Sequence, residues 1–263
     1  MQDRYAGDLG DFLKLGLLRW LVAPSSDAPP HRLGVVWYLT PDESHNGDGK
    51  HVTYLGPESQ AGRQLRPLDP DLYDRLASMV GGGMRSVAQL EAHGVLPAGC
   101  RTCGEVLQFA DLQPGARTDR IRRRGAWLCA AHRATADCSV VFVDPDNGLR
   151  RSDHPMPSYR SKSEKHAYFD ELTAFVERGQ SIVAYHHADR SATVPVQAQR
   201  RMADAAEELG VAPLAAVRAS RGTTRLFVVV PAPAHRLGLT RRLEDLERSP
   251  WAEELTVHWA TDR

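Results

Sequence analysis

The chain has 263 residues, and its 33 lysines and arginines balance 33 aspartates and glutamates, so the formal net charge is zero. This balance excludes a global field that would draw the protein to nucleic acid or to a membrane, so any polyanion site must be local. No apolar run approaches the roughly 20 residues that span a bilayer, and the first residues lack the layout of a signal peptide. We therefore expect a single cytoplasmic domain over 1–263, without a membrane partner.

The first predicted element is an amphipathic helix rich in leucine. It follows Asp8 and Asp11, either of which can cap its first turn by accepting a free amide hydrogen, and Pro24 ends it. Lys14 and Arg19 are its only cations.

A buried strand over 33–39 is predicted next, and it ends in a polar, glycine-rich loop over 40–51. This loop carries Asp42, Glu43 and His45, whose oxygen and imidazole donors suit a divalent metal or general acid–base chemistry. The alternative is a solvated hairpin turn before a second strand at 52–55.

The middle of the chain predicts helices over 69–80, 86–93 and 117–136, with a strand over 105–110 that ends at Asp111. The last of these helices carries five arginines near its start. These could contact phosphates of a nucleic acid, or they could form an ordinary solvated helix surface.

Cysteine spacing outlines a zinc site. Cys100 and Cys103 form one close pair, and Cys129 with His132 forms a second, which together could supply a tetrahedral ligand set for structural Zn²⁺. The second pair falls in a predicted helix, where residues i and i+3 share a face. Ordinary thiols are the favoured alternative.

The central feature is the apolar run 140–143, which predicts a parallel strand buried on both faces. The segment Asp144-Pro145-Asp146-Asn147-Gly148 follows it, and proline and Asn-Gly end the strand there. Ligands of open α/β sheets bind at this end of the strands. Turn chemistry alone is the alternative. A second strand over 181–185 is predicted beside the first, and it ends in His186 and His187.

The remaining chain predicts a helix over 164–178, with Lys162, Lys165 and His166 at its start. These groups either await an anion or are simply exposed. Further predicted elements are a helix over 196–209, antiparallel strands over 214–217 and 225–230, a helix over 239–248 and a last segment over 251–259.

This order predicts an α/β fold with a doubly wound, Rossmann-like, mostly parallel sheet and an antiparallel edge hairpin. The outline resembles the S-adenosylmethionine-dependent methyltransferases. The opening Tyr5-Ala6-Gly7-Asp8-x-Gly10-Asp11-Phe12-x-Lys14 is similar to the start of the large-subunit rRNA adenine methyltransferase J family and of the three-cysteine-motif partner proteins. The overall pattern also resembles a bacterial family, which implies no activity.

The segment Asp144-Pro145-Asp146-Asn147 stands where that class carries its Asp-Pro-Pro-Tyr catalytic motif, so the aromatic ring that would stack on a flipped base is replaced. The glycine-rich turn that the class places after its first strand is also replaced. The resemblance implies S-adenosylmethionine as cofactor and a nucleic acid or related substrate.

Two functions follow as hypotheses. In group transfer, Asp144 and Asn147 bind an acceptor amine, Lys14 orients it, and Asp111 holds the cofactor. Further candidates are Asp42 and Glu43 for the cofactor and Asp11, Lys165 and Arg190 for the substrate.

In metal-assisted hydrolysis, a nuclease for example, Mg²⁺ or Mn²⁺ would activate a water. Its ligands would come from Asp42, Glu43, His45, Asp144, Asp146, His186 and His187, and Lys165 or Arg190 would neutralise a phosphoryl group. An inert binding module is the third alternative, and the oligomeric state stays open, with a homodimer among the options.

Overall fold

The computed structural model describes residues 1–24, 30–43 and 49–261. The strands in these residues are β1 (Leu33–Val36), β2 (Arg101–Cys103), β3 (Val140–Val143), β4 (Gly148–Arg150), β5 (His166–Tyr168), β6 (Ser181–His187), β7 (Ala215–Ala219), β8 (Arg225–Val230) and β9 (Leu255–Trp259). The α-helices are α1 (Leu9–Val22), α2 (Gln60–Leu65), α3 (Pro70–Gly81), α4 (Val87–Ala92), α5 (Arg117–Ala134), α6 (Phe169–Glu177), α7 (Val194–Leu209) and α8 (Arg236–Glu247).

Within the described residues the central sheet has seven strands in the order β2-β1-β3-β6-β8-β7-β9. Strands β2, β1, β3 and β6 are parallel, and β8, β7 and β9 continue the sheet in antiparallel pairings. The α/β prediction is confirmed, and so is the placement of β6 beside β3. The hairpin β7–β8 does not form the edge, however, because β9 pairs with β7 and covers it.

Helices cover both faces of this sheet, because its strands alternate between two apolar clusters. Val35 and Phe142 face a cluster that includes α1, α3 and α8. Val36 and Val143 face a second cluster built with α5, α6 and α7. Strands buried on both faces explain why β1 and β3 read as unbroken apolar runs.

Helix α1 is buried on nearly all sides rather than amphipathic. Asp8 caps it by accepting a hydrogen bond from the Asp11 amide (2.8 Å). Gly16 lets the helix approach Trp251 closely, since a Cβ at this position would lie 2.2 Å from the indole ring. A lysine on such a helix, Lys14, must find its partners inside the protein.

Several element predictions are wrong. Strand β2 is short and precedes the predicted 105–110 segment, of which Val106 forms only an isolated bridge to Leu39. Residues Thr53–Leu55 form a 3-10 turn, so no hairpin follows the 40–51 loop. Helix α6 begins at Phe169, and Lys162, Lys165 and His166 precede it, the last of them in β5, which pairs with β4.

Among the described residues, each helix is either too short or too polar to cross a membrane.

Candidate functional site

A cavity of about 300 Å³ opens at the carboxyl ends of β3 and β6. We call it the Lys14 cavity. The residues that shape its chemistry are Asp8, Asp11 and Lys14 at the start of α1, Asp144, Asp146 and Asn147 after β3, Tyr185 and His187 on β6, and Arg225 on β8. Strands β2 and β3 lie on opposite sides of β1, so the chain changes direction across the sheet at β1. The cavity lies beside this point, where open α/β sheets bind ligands.

Lys14 joins two carboxylates at the floor of the cavity. Its Nζ lies 2.5 Å from Asp11 Oδ1 and 2.8 Å from Asp144 Oδ2, and all three side chains are buried. Burial opposes the charge of Lys14, but the two carboxylates outweigh it and hold the lysine pKa above its usual value. Burial raises the pKa of Asp144, and the Lys14 charge opposes this shift. The site therefore keeps a fixed cation next to a carboxylate of increased basicity.

Lys165 forms a second ionic link at the rim. Its Nζ lies 2.6 Å from Glu43 Oε1 and 3.2 Å from Asp146 Oδ2. Gln2 Nε2 also donates to Asp146 Oδ2 (2.8 Å). Burial opposes ionisation of Asp146, but the amino group of Met1, Gln2 and Lys165 together hold its pKa below the usual value. Asp146 is therefore a firmly charged carboxylate.

Met1 bridges the ends of β1 and β3. Its amino group donates to the carbonyl oxygens of Tyr38 and Asp144, at 3.1 Å each, and its own carbonyl accepts from the Thr40 amide (2.9 Å). This residue therefore forms one wall of the Lys14 cavity and separates it from the end of β1.

The lining residues that sequence reasoning missed include Asp8, Tyr185 and Arg225. The guanidinium of Arg225 lies 3.9 Å from Asp8 and packs over Gly10, where a Cβ would stand 2.2 Å from it. The glycine indicated a close approach to α1, but the sequence does not show what approaches. Tyr185 lies next to His187, with 3.3 Å between its hydroxyl and Nδ1, and burial raises the tyrosine pKa.

His186 lies outside the Lys14 cavity, although the sequence grouped it with His187. Its Nδ1 accepts a hydrogen bond from the Leu149 amide (3.2 Å). Burial lowers the His186 pKa to about 3, so the ring is neutral at physiological pH. The residue lines a neighbouring groove of about 650 Å³.

The cofactor candidates lie apart from each other. Asp42 lines a third groove of about 530 Å³, together with Leu39 at the end of β1 and with Val106 and Gln108 beyond β2; we call it the β1–β2 groove. Asp111 does not line this groove. Arg123, which does, binds its exposed carboxylate (2.5 and 2.9 Å) and lowers its pKa.

Two other candidates do not join the cavity. Arg190 is exposed and lines none of these three cavities. His45 lies outside the described residues.

The structure does not bring together the described members of the metal sites that the sequence suggested. In the described ranges, no three histidine, cysteine, aspartate or glutamate side chains are placed to hold a metal ion. Cys129 is exposed and Cys103 is buried, and His132 contacts the Phe175 ring instead of a thiol. Cys100 is half-buried, and burial raises its thiol pKa to about 12.

Comparisons of this chain with protein-family models, with curated proteins and with solved structures gave no match.

Proposed function

We propose that the protein is a methyltransferase-like enzyme that binds an amino group of a nucleobase or related substrate in the Lys14 cavity. The observation that carries this proposal is the position of Asp144 and Asn147, at the carboxyl end of a central parallel strand and facing a cavity of about 300 Å³. Carboxylate and amide oxygens accept N–H hydrogen bonds and so can orient an amine. A flipped base is read in this way, through its hydrogen-bonding edge.

Lys14 and Asp144 would divide the work on such an amine. Asp144 accepts a hydrogen bond and takes up the proton that the nitrogen loses, for which a raised pKa is favourable. Lys14, held 2.8 Å from Asp144, fixes the direction of the carboxylate. S-adenosylmethionine, when bound, supplies an electrophilic methyl group.

The β1–β2 groove fits the nucleoside half of this cofactor. Asp3 and Asp42 offer carboxylates for ribose hydroxyls, and Leu39 and Val106 offer apolar surface for adenine. Met1 lies between this groove and the Lys14 cavity, because it lines the cavity and its carbonyl accepts from the amide of Thr40, which lines the groove. A ligand that reaches from one to the other therefore requires Met1 to move.

Group transfer is preferred to metal-assisted hydrolysis because of how the carboxylates are paired. Lys14 stands between Asp11 and Asp144, and Lys165 stands between Glu43 and Asp146. A divalent ion at either place would have to displace a lysine from two carboxylates, which costs the energy of both ion pairs.

The test combines ligand binding with transfer of the methyl group. We expect S-adenosylmethionine and S-adenosylhomocysteine to raise the Tm and isotopically labelled S-adenosylmethionine to label nucleic acid. Asp144→Asn should abolish labelling. The control is Asp245→Asn, at an exposed carboxylate on α8 that pairs with Arg248, and it should not change labelling. A Tm rise with Mg²⁺ or Mn²⁺ alone, lost in Asp144→Asn, would overturn the proposal in favour of hydrolysis.

A further inference from the structure

A groove of about 650 Å³ adjoins the Lys14 cavity and shares Asn147 and His187 with it. We call it the Arg150 groove, and its defining residues are Arg150, His154, His166, His186, Arg200 and Arg201. Asp144 does not reach it, so its chemistry is separate from that of the Lys14 cavity.

His166 lines this groove and carries one buried polar atom without a hydrogen-bond partner. The residue is 7% exposed, and its Nδ1, which is closed to solvent, has no hydrogen-bond partner in the described part of the chain. Burial lowers the pKa of His166 to about 3, so the ring is a neutral imidazole. A buried polar atom without a partner is costly. A ligand that hydrogen-bonds to Nδ1 after a turn of the ring would remove this cost.

Arg150 is a half-buried cation beside it. Among the described residues no carboxylate lies within ion-pair distance of its guanidinium, and Nη1 instead lies 2.9 Å from His154 Nδ1. Burial lowers the Arg150 pKa, as expected for a cation without a counter-ion. On the facing helix α7, Arg200 is exposed and likewise has no carboxylate partner in the described ranges.

The other arginines of the groove are paired locally, whereas Asp189 has no cation within ion-pair distance among the described residues. Arg201 pairs with Asp204 (2.7 Å), and Arg151 pairs with Glu207 (2.7 Å) and with Asp153 (3.1 Å). Asp189 accepts a hydrogen bond from the Ser191 amide (2.8 Å). Arg150 and Arg200 are therefore the cations that an incoming anion would meet.

We infer that the Arg150 groove binds the phosphate of a nucleotide whose base enters the Lys14 cavity. This inference rests on the proposed function for the identity of the base. Phosphate oxygens can accept from two arginines and from an imidazole N–H at once, in different directions. Asn147 and His187 border both cavities, so a nucleotide that lies across these two residues would place its base in one cavity and its phosphate in the other. The nucleotide is either free or part of a strand.

The first experiment measures binding by calorimetry with four probes: inorganic phosphate, adenosine, 5′-AMP and a single-stranded decanucleotide. If the ligand is a free nucleotide, we expect 5′-AMP to bind more tightly than adenosine and inorganic phosphate to compete with 5′-AMP. If the ligand is a nucleic-acid strand, we expect the decanucleotide to bind with a strong salt dependence. If adenosine binds as tightly as both phosphorylated probes, the inference is overturned.

Variants then assign the phosphate to this groove. Arg150→Gln should raise the Kd of the phosphorylated probe about tenfold, because a hydrogen bond to a charged group is lost. Arg200→Gln, at an exposed helix position, should raise the same Kd about threefold. The matched control is Arg133→Gln, which removes one exposed arginine near the far end of α5. If both groove variants bind like this control, the inference fails.

His166 supplies a signal that a merely structural role would not produce. Its imidazole ¹⁵N resonances, assigned with His166→Phe, should shift when the phosphorylated probe is added and should not shift with adenosine. Equal responses to both probes would contradict the inference.

The two proposals can fail separately. If 5′-AMP or the decanucleotide binds in an Arg150-dependent manner but no methyl group is transferred, the proposed function is wrong and the phosphate site stands. If Asp144→Asn abolishes transfer while Arg150→Gln leaves the KM for the substrate unchanged, the phosphate site is wrong and the proposed function stands.

Discussion

Replacing Lys14 with methionine tests the electrostatic account of the cavity most directly. The variant keeps most of the side-chain volume but leaves Asp11 and Asp144, both buried, without their shared cation. Breaking a buried ion pair from one side typically costs about 3–5 kcal/mol. This is a large part of the roughly 5–15 kcal/mol by which native proteins are stable, so the loss should be obvious in urea unfolding at pH 8.

The size of the loss should depend on pH. Burial already holds the pKa values of Asp11 and Asp144 above their usual values, and Lys14 opposes that shift. Without Lys14 both pKa values rise further in the folded state. At a pH below these pKa values the carboxyl groups are neutral and need no cation. At a pH above these values the carboxyl groups are charged and buried. The loss should therefore be small at acidic pH, about 1–2 kcal/mol, and should grow as the pH rises through the raised pKa values.

The control is Lys50→Met, which removes an exposed lysine and should change stability by less than about 0.5 kcal/mol. Adding Asp144→Asn to Lys14→Met should recover part of the loss, because one buried charge is removed. A Lys14→Met loss below about 1 kcal/mol at pH 8, or equal losses at pH 5 and pH 8, would refute this role of the lysine charge.

Three further predictions concern the scaffold. Arg124→Met should lower the free energy of unfolding by about 3–5 kcal/mol, because Arg124 and Glu171 form a buried ion pair; a urea titration with a loss under about 1 kcal/mol would contradict this. Gly148→Ala should lower the Tm more than Gly179→Ala does. Both glycines have positive φ, but only at Gly148 would an added Cβ press against the backbone of β6 (2.8 Å). Equal Tm losses would show that this contact does not matter. Cys129 is the exposed cysteine and should react with a thiol reagent well before the other cysteines do; release of more than one rapid thiol equivalent would argue against the described burial.

The sequence predicted best those elements whose residues are all apolar. The runs that became β3 and β8 are buried on both faces, so their composition is enough to identify them. Strand β2 was not predicted, because its three residues are in turn exposed, half-buried and buried and so form no apolar run. The later segment 105–110 has the more strand-like composition. The pairing of β2 with β1 depends on tertiary contacts that no local pattern reports.

The candidate site was predicted in parts. Lys14, Asp144 and Asn147 were each identified, but the contact between Lys14 and Asp144 joins residues 130 positions apart. His186 was misplaced because β6 continues through His187, and successive residues of a strand point to opposite faces. Composition identifies a histidine pair at a strand end, but only the strand boundary decides which ring faces which cavity.

The ion pair between helix α1 and the end of β3 also ties the cavity to the order in which the chain folds. Its floor comes from residue 14 and residue 144, and its rim includes Arg225, so the cavity exists only after contacts of long sequence separation have formed. Such contacts are made slowly, because loop closure must precede them. A molecule that can hold a ligand here has therefore completed its fold from the first helix to strand β8. A ligand of this cavity should consequently stabilise the whole structure by mass action instead of one loop.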